Sequence, residues 1–304
     1  MFDVLVAGEI NPDLILSGDI QPEFGQVEKL IDQAELTIGS SSAIFACGAA
    51  RLGLRVGFVG VCGDDVFGQF MLAEMGKRGV DTSNVIVRAG QATGLSVILN
   101  RSCDRAILTF PGLISALRRS DLPDVLLEQA RHLHVASYFL QTELQAGLPA
   151  LFERAHALGL TTSLDTNYDP TGSWAGITEL LHATDVFLPN QTEALAIAHA
   201  TDVEMAARQL AEQAALVAVK RGAAGALACQ QGIVTPADSI SIEAQDAIGA
   251  GDSFDAGFLF GYLNRWTVER SLRLACVCGA LSMRMAGGTQ GQPTLEEALQ
   301  YVPG

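Results

Sequence analysis

Charge is scarce in this chain. Asp, Glu, Lys and Arg make up only 17% of its residues against 49% hydrophobic, the reverse of the composition that keeps chains unfolded. The 304 residues are therefore expected to be compact throughout and to bury a large core. Basic residues are scarcer still. Lys and Arg total 19 against 34 Asp and Glu, and the resulting negative field repels phosphate backbones, which argues against nucleic acid as a partner. Any anionic ligand has to be held by local devices such as backbone amides, a few cations or a metal ion. No apolar run reaches the length of a membrane-spanning helix, and the start MFDVLVAGEI lacks the basic segment of a signal peptide. There is no CxxC pair among Cys47, Cys62, Cys103, Cys229, Cys276 and Cys278, all set in apolar stretches. They read as small buried hydrophobes in a reducing compartment, and a cytoplasmic location is the default. The histidines lack zinc-ligand spacing; His132 and His134, in RHLHVAS, read as structural.

What is present is an alternation of short buried runs with longer helical patterns. Residues 3–7, 56–61, 132–136, 161–165, 185–188 and 216–220 read as buried strands, with crossover helices between them, two of them at 42–52 and 67–77. This predicts a three-layer α/β fold around a mostly parallel sheet. Residues 13–18, 34–38, 94–100 and 105–110 instead alternate apolar and polar at period two, as half-exposed strands do. They predict a small second sheet, built from the segments near 13–40 and 90–112, that forms a lid on a single domain spanning 1–304. Exposed lid strands leave unpaired edges, so a homodimer through the lids is expected.

The most informative stretch is DAIGAGDSFDAGFLFGYL at 246–263. It reads as a glycine turn feeding a helix, where the amides of Gly249, Ala250 and Gly251 and the helix dipole make an anion site. It is not a dinucleotide turn, because GxGxxG from Gly249 would need glycine where Phe254 stands. Nor does a P-loop occur anywhere, since the one GK pair, Gly76 and Lys77, is followed by Arg78. Asp252 could cap this helix. A carboxylate beside an anion site repels the anion unless its charge has a use, and accepting a proton from an attacking hydroxyl is such a use. At a helix N-terminus it is expected to stay ionised at neutral pH.

DAIGAGDSFDAGF resembles the C-terminal motif of the PfkB, or ribokinase-like, carbohydrate kinases. GEINPDLI at 8–15 is similar to that family's first strand, and GFVGVCGDDVFG at 57–68 to its N-terminal motif; FPGLISALRRSDL, SLDTNYDP, LPNQTEA and VAVKRGAAGAL follow in family order. The resemblance implies an ATP- and Mg2+-dependent kinase that phosphorylates a hydroxymethyl group of a sugar-like acceptor. By that resemblance Asp252 is the general base, and the Gly249, Ala250 and Gly251 amides stabilise the transferred phosphoryl group. Asn11, Asp13, Gly39 and Ser40 bind the acceptor, with Tyr138 or Asn167 beside it. Asn190 and Glu193 organise magnesium through water, and Lys220, Gly222 and Gly225 belong to the nucleotide loop, although Lys220 alone reads equally as a solvated strand end. Asp246, Ile248, Ser282, Met285, Gly287 and Gly291 match positions that hold a monovalent cation such as K+.

The chain departs from the family where a second turn glycine and a helix Asn usually bind sugar. It carries Ser40 and Ile44 there, and Ile44 cannot hydrogen-bond a hydroxyl, which points away from a ribose-like binding mode. Nucleoside kinase and keto-deoxy sugar acid kinase are alternatives within the class. A non-catalytic sensor on the same fold is opposed by the intact Asp252, and a nicotinamide oxidoreductase by the missing fingerprint.

Overall fold

The computed structural model describes residues 1–101 and 104–302; Cys103 lies outside them. Nine strands form one sheet in the order Ile233–Ala237, Ala226–Gln230, Leu216–Lys220, Val186–Phe187, Thr161–Leu164, His132–Val135, Val4–Ala7, Val56–Val59, Val80–Asp81. From Leu216–Lys220 onward all neighbours run parallel. The first two strands are antiparallel additions that the sequence reading did not anticipate. Their hairpin turns at Gln231 and Gly232, both at positive φ, the backbone that matches the twist of a two-residue hairpin.

Burial on both faces explains the near-continuous apolar strands. Along Val4–Ala7, Val4 and Val6 join one core cluster with Phe45, Phe58 and Phe258, while Leu5 and Ala7 join the other with Phe152, Phe187 and Val217. The helices Ser41–Arg51, Ala250–Leu263 and Val268–Ser282 cover the first face; Leu148–Ala157 and Val203–Leu210 cover the second. Both predicted crossover helices are present, at Ser41–Arg51 and Val66–Lys77. The second is capped by the Asp65 carboxylate accepting from the Gly68 amide.

The alternating segments form a separate sheet, Gln33–Ile38, Pro12–Ser17, Leu95–Arg101, Asp104–Phe110. Its Pro12–Ser17 strand pairs antiparallel with Gln33–Ile38 and parallel with Leu95–Arg101. The chain enters it directly from the main sheet through the buried residues Glu9 and Asn11. All five described cysteines are buried and unpaired. His132 and His134 are buried and bonded through the Thr161 and Ser163 hydroxyls, and burial pushes both ring pKa values down to about 3.

Strand order fixes where a ligand can sit. From Val4–Ala7 the chain steps outward to Val56–Val59 and Val80–Asp81, then returns to the other side of the first strand at His132–Val135. The carboxyl ends diverge at that reversal, the usual crevice of open α/β sheets. Core packing beneath it is dense, and Phe258 on the Ala250–Leu263 helix is fully buried. Phe258→Ala is expected to cost about 3–5 kcal/mol, read from urea unfolding with an unchanged m-value; a cost under about 1 kcal/mol would show that this helix is not part of the cooperative core.

Candidate active site

Polar and charged residues gather immediately after the carboxyl ends of five parallel strands. Glu9 follows Val4–Ala7, Ser137 follows His132–Val135, Asp165 and Asn167 follow Thr161–Leu164, Asn190 follows Val186–Phe187, and Lys220 ends its own strand. Across the reversal point the Ser137 hydroxyl donates to Glu9 Oε1 at 2.9 Å. Asn167 Nδ2 in turn donates to Ser137 Oγ at 3.0 Å. Glu9 Oε2 accepts from the Ser42 hydroxyl at 2.5 Å, and its carbonyl accepts from Ser40 Oγ at 2.7 Å. Ser40, Ser137 and Asn167 all have left-handed φ values of 64°, 52° and 53°, a conformation that costs a non-glycine residue on the order of 1 kcal/mol. One buried glutamate, through its backbone carbonyl at Ser40 and its carboxylate at Ser137, thus ties together three strained positions.

Asp252 stands in the first turn of the Ala250–Leu263 helix, 9% exposed. It accepts a hydrogen bond from the Ser41 hydroxyl. Burial and the nearby Asp165 push its pKa up to about 7, opposed by the Ser41 bond and Lys220. The expectation of a carboxylate fully ionised at neutral pH is therefore corrected: desolvation and a like charge outweigh the helix terminus. Gly249, just before the helix, has φ +71°, and a Cβ there would lie 2.8 Å from Gly288 Cα, so only glycine fits this turn. The Ala250 amide makes a long 3.4 Å bond to the Ala247 carbonyl, and Gly251 is exposed beside Lys220.

Lys220 is not a solvated strand end. Its side chain is 11% exposed and its Nζ lies 3.0 Å from both Asp165 Oδ2 and Asp255 Oδ2. Burial alone would lower its pKa, but Asp165, Asp255, Glu193 and Asp252 hold it above the usual lysine range. Against its own burial, Asp165 is kept below its ordinary value by Lys220, whereas burial raises Asp255 well above its own. Glu193, buried, is pushed up to about 7 by burial and by Asp165; its two oxygens accept from the Asn190 amide and side chain in a capping box. Four carboxylates surround one ammonium. Oxygens of Asp165, Asp252 and Asp255 lie within 4.8 Å of one another, an all-oxygen donor set with surplus negative charge that suits Mg2+.

On the other side of Lys220 a cavity of about 610 Å³ opens, walled by Ile240, Ile242, Phe254, Cys276 and Met283 and closed at its polar end by Lys220 and Gly251. Gly222 and Gly225, at φ 57° and 78°, form the turn at its rim. In the second sheet Asp13 is buried, with Asn11 Nδ2 3.5 Å from its Oδ1 and 3.4 Å from Ser96 Oγ. Burial pushes the Asp13 pKa up to about 7, with Glu9 and Asp246 adding and Arg105 opposing. Gly39 packs on this carboxylate; a Cβ there would lie 2.2 Å from Asp13 Oδ1.

Two of the sequence-predicted residues are placed otherwise than expected. Ser40 caps the Ser41–Arg51 helix, accepting from the Ala43 amide, and it is Ser41 that reaches Asp252. Tyr138 is buried in the second core cluster and its hydroxyl donates to the Gly176 carbonyl at 3.0 Å. Ile44 is buried under the glycine turn, against Gly249 and Gly288. Sequence reasoning missed Glu9, Ser41, Ser137, Asp165 and Asp255. A signal existed for Asp255, which lies one helical turn beyond Asp252 and so shares its buried face.

Comparison with known proteins bears on the family and the fold. The family described as pfkB family carbohydrate kinase matches residues 1–295. An ATP-dependent ribose-1-phosphate kinase of Halopiger xanaduensis is 30% identical, covering 99% of this chain and 98% of its own. Among solved structures, a PfkB protein from Polaromonas sp. JS666 superposes with TM-score 0.83 at 26% identity, over 98% of this chain and 99% of that one. A putative ribokinase II from E. coli, in complex with ATP and Mg2+, shares the fold with TM-score 0.89 at 23% identity over 99% of both chains.

A carboxyl with its folded pKa above its unfolded value binds an extra proton when folded, so stability declines as pH rises between the two values and levels off above the higher one. For Asp252 that window runs from about 4 to about 7. Asp252→Asn is expected to be more stable than the unsubstituted protein at pH 8, on the order of a few kcal/mol, and to lose that advantage near pH 4. Urea unfolding at both pH values checks it; equal stability at pH 8 would refute the raised pKa.

Proposed function

The chain belongs to the pfkB family of carbohydrate kinases and is an ATP-dependent sugar kinase, and from that premise we propose that Asp252 is its general base and the Gly249–Gly251 turn its phosphoryl-binding site. The observation that carries this reading is the juxtaposition of a buried carboxylate, pKa near neutrality, with a glycine turn at a helix N-terminus and a lysine-closed apolar cavity. The apolar wall receives the purine of ATP, and the polar end beside Lys220 and Gly251 receives its phosphates. Asn11 and Asp13 hold the acceptor from the second sheet, with Asn167 at its side.

The acceptor hydroxyl oxygen bonds to the γ-phosphorus as the bond from that phosphorus to the β–γ bridging oxygen breaks. ADP leaves and the hydroxyl proton passes to Asp252. Proton loss comes late in a loose phosphoryl-transfer transition state, so a base of pKa near 7 suffices. Asp165, Asp255 and the Asn190–Glu193 pair are the residues that would hold Mg2+, which would supply neutralisation of phosphate charge. Lys220 stays charged throughout, held by its two carboxylates.

The four-stranded sheet, made from the segments near 13–40 and 90–112, serves as the lid of a single domain. Its edges support a lid-to-lid dimer: Leu36, Ile107 and Phe110 are exposed on its two edge strands, and unpaired apolar edges are normally covered. Among the described residues no helix is long and apolar enough to cross a membrane. ATP as donor and five unpaired buried cysteines support a cytoplasmic site of action.

ADP release against a panel of sugars, sugar acids and nucleosides identifies the acceptor, and no release with any member counts against the kinase reading. Asp252→Asn keeps size and capping ability but removes the base. Its kcat is expected to fall by roughly 10² or more while Mg-ADP binding is kept or improved; an active variant would reduce Asp252 to a cap. Asp13→Ala is expected to raise acceptor KM about tenfold or more with ATP KM unchanged, and equal effects on both substrates would remove Asp13 from the acceptor site.

A further inference from the structure

The residues that the family resemblance assigns to a monovalent cation do not fit one here. Gly291 brings no side-chain oxygen, and a Cβ at that position would lie 2.1 Å from the Ser282 carbonyl oxygen. The space a ligating side chain needs is filled by the very carbonyl that should share the ion. The Ser282 hydroxyl donates to the Gly279 carbonyl at 2.9 Å. Both Asp246 carboxylate oxygens already accept backbone amides, from Ile248 at 3.0 Å and from Gly287 at 3.1 Å.

A positive charge is nevertheless present in this loop, covalently attached. Arg284 donates from Nε to the Leu281 carbonyl at 2.9 Å and from Nη2 to the Gly291 carbonyl at 3.2 Å. It therefore bridges the end of the Val268–Ser282 helix, where carbonyl dipoles favour a cation, to the far side of the 282–291 loop. That loop backs the anion turn, since Gly288 atoms are the nearest to a Cβ built on Gly249. The arginine is linked to the proposed phosphoryl site through two contacts, Arg284 to Gly291 and Gly288 to Gly249, joined by the loop itself.

We propose that Arg284 is a resident cation: it holds the 282–291 loop beneath the Gly249–Gly251 turn, and the enzyme works without a monovalent ion. The inference rests on the kinase reading for its functional consequence, and on the loop geometry alone for its ion-binding consequence. Arg284 is a positioning residue, acting through the loop.

The test measures Mg-ADP affinity by calorimetry and the melting temperature of the ligand-free protein, in tetramethylammonium chloride and in potassium chloride at equal ionic strength. The unsubstituted protein is expected to give the same Kd within about twofold and the same melting temperature in both salts. Arg284→Ala is expected to bind Mg-ADP about tenfold more weakly, with part of the loss restored by millimolar guanidinium and none by Arg284→Ala dilution into tetramethylammonium. Arg284→Lys, which keeps the charge, covers the case in which the alanine variant does not fold, and is expected to fall between the two. Tightening of Mg-ADP binding by about tenfold in potassium, a rise in melting temperature specific to potassium, or an Arg284→Ala protein with undiminished affinity would each overturn the proposal. A protein that binds Mg-ADP in neither salt overturns the kinase reading instead, and the ligand-free melting temperatures still decide whether the loop takes the ion.

Discussion

The site depends on one buried ammonium. Lys220 bridges Asp165 and Asp255 at 3.0 Å with both carboxylates almost inaccessible, and burying three charges together is costly unless their geometry is satisfied. Here it is. The contact joins the end of one parallel strand to the loop after another and to the second turn of the Ala250–Leu263 helix, so the same ion triad that sets the local electrostatics also fixes where Asp252, one turn earlier, stands. Removing the lysine would leave four carboxylates without a counter-charge, whereas removing one carboxylate would leave the ammonium held by the other. The asymmetry makes Lys220 the element on which both the cavity wall and the setting of Asp252 rely.

A second constraint acts at the reversal of strand order. Glu9 receives hydroxyls from Ser42 and Ser137, and through Ser137 it also orients the Asn167 amide. Three left-handed backbones converge on it. Such strain persists where surrounding bonds over-determine it, and here those bonds come from elements distant in sequence. The negative charge of Glu9 also reaches both Asp13 and Asp252, raising each. It is thus placed between the two halves of the site, electrostatically as well as structurally.

Much of this was legible in the chain, and the reasons for the rest are specific. Period-two alternation separated the second sheet from the buried strands because the two bury different numbers of faces. The glycine turn and Asp252 at the helix start were legible because such a turn needs local residues only. The Lys220 triad was not, since its lysine and Asp165 are 55 residues apart and only strand order brings them together. The serines at 40, 41 and 42 show the limit most clearly. Near a helix start successive side chains point about 100° apart, so one caps the helix, the next reaches Asp252 and the third reaches Glu9. Sequence placed the cluster but could not set its phase: it named Ser40 for the acceptor and did not single out Ser41, whose hydroxyl reaches Asp252. Glu9 was missed because a glutamate is ordinarily exposed.

The proposed role of Asp252 as a base draws on a balance of opposing influences around its carboxyl. Burial and Asp165 favour its neutral form; Ser41 and Lys220 favour the ionised one, and the opposing influences leave it near neutrality. A surface aspartate would be a far weaker base, and a buried one without Lys220 or Ser41 would hold its proton too firmly to act. Glu193 is poised in the same way, by burial and Asp165 against Lys220. Because both carboxyls are raised partly by surplus negative charge, any cation entering the cluster lowers their pKa values and releases protons, while each deprotonation tightens the hold on the cation, as linkage requires. Entry of a cation and ionisation of Asp252 and Glu193 are therefore one coupled equilibrium, built from four acids and one lysine.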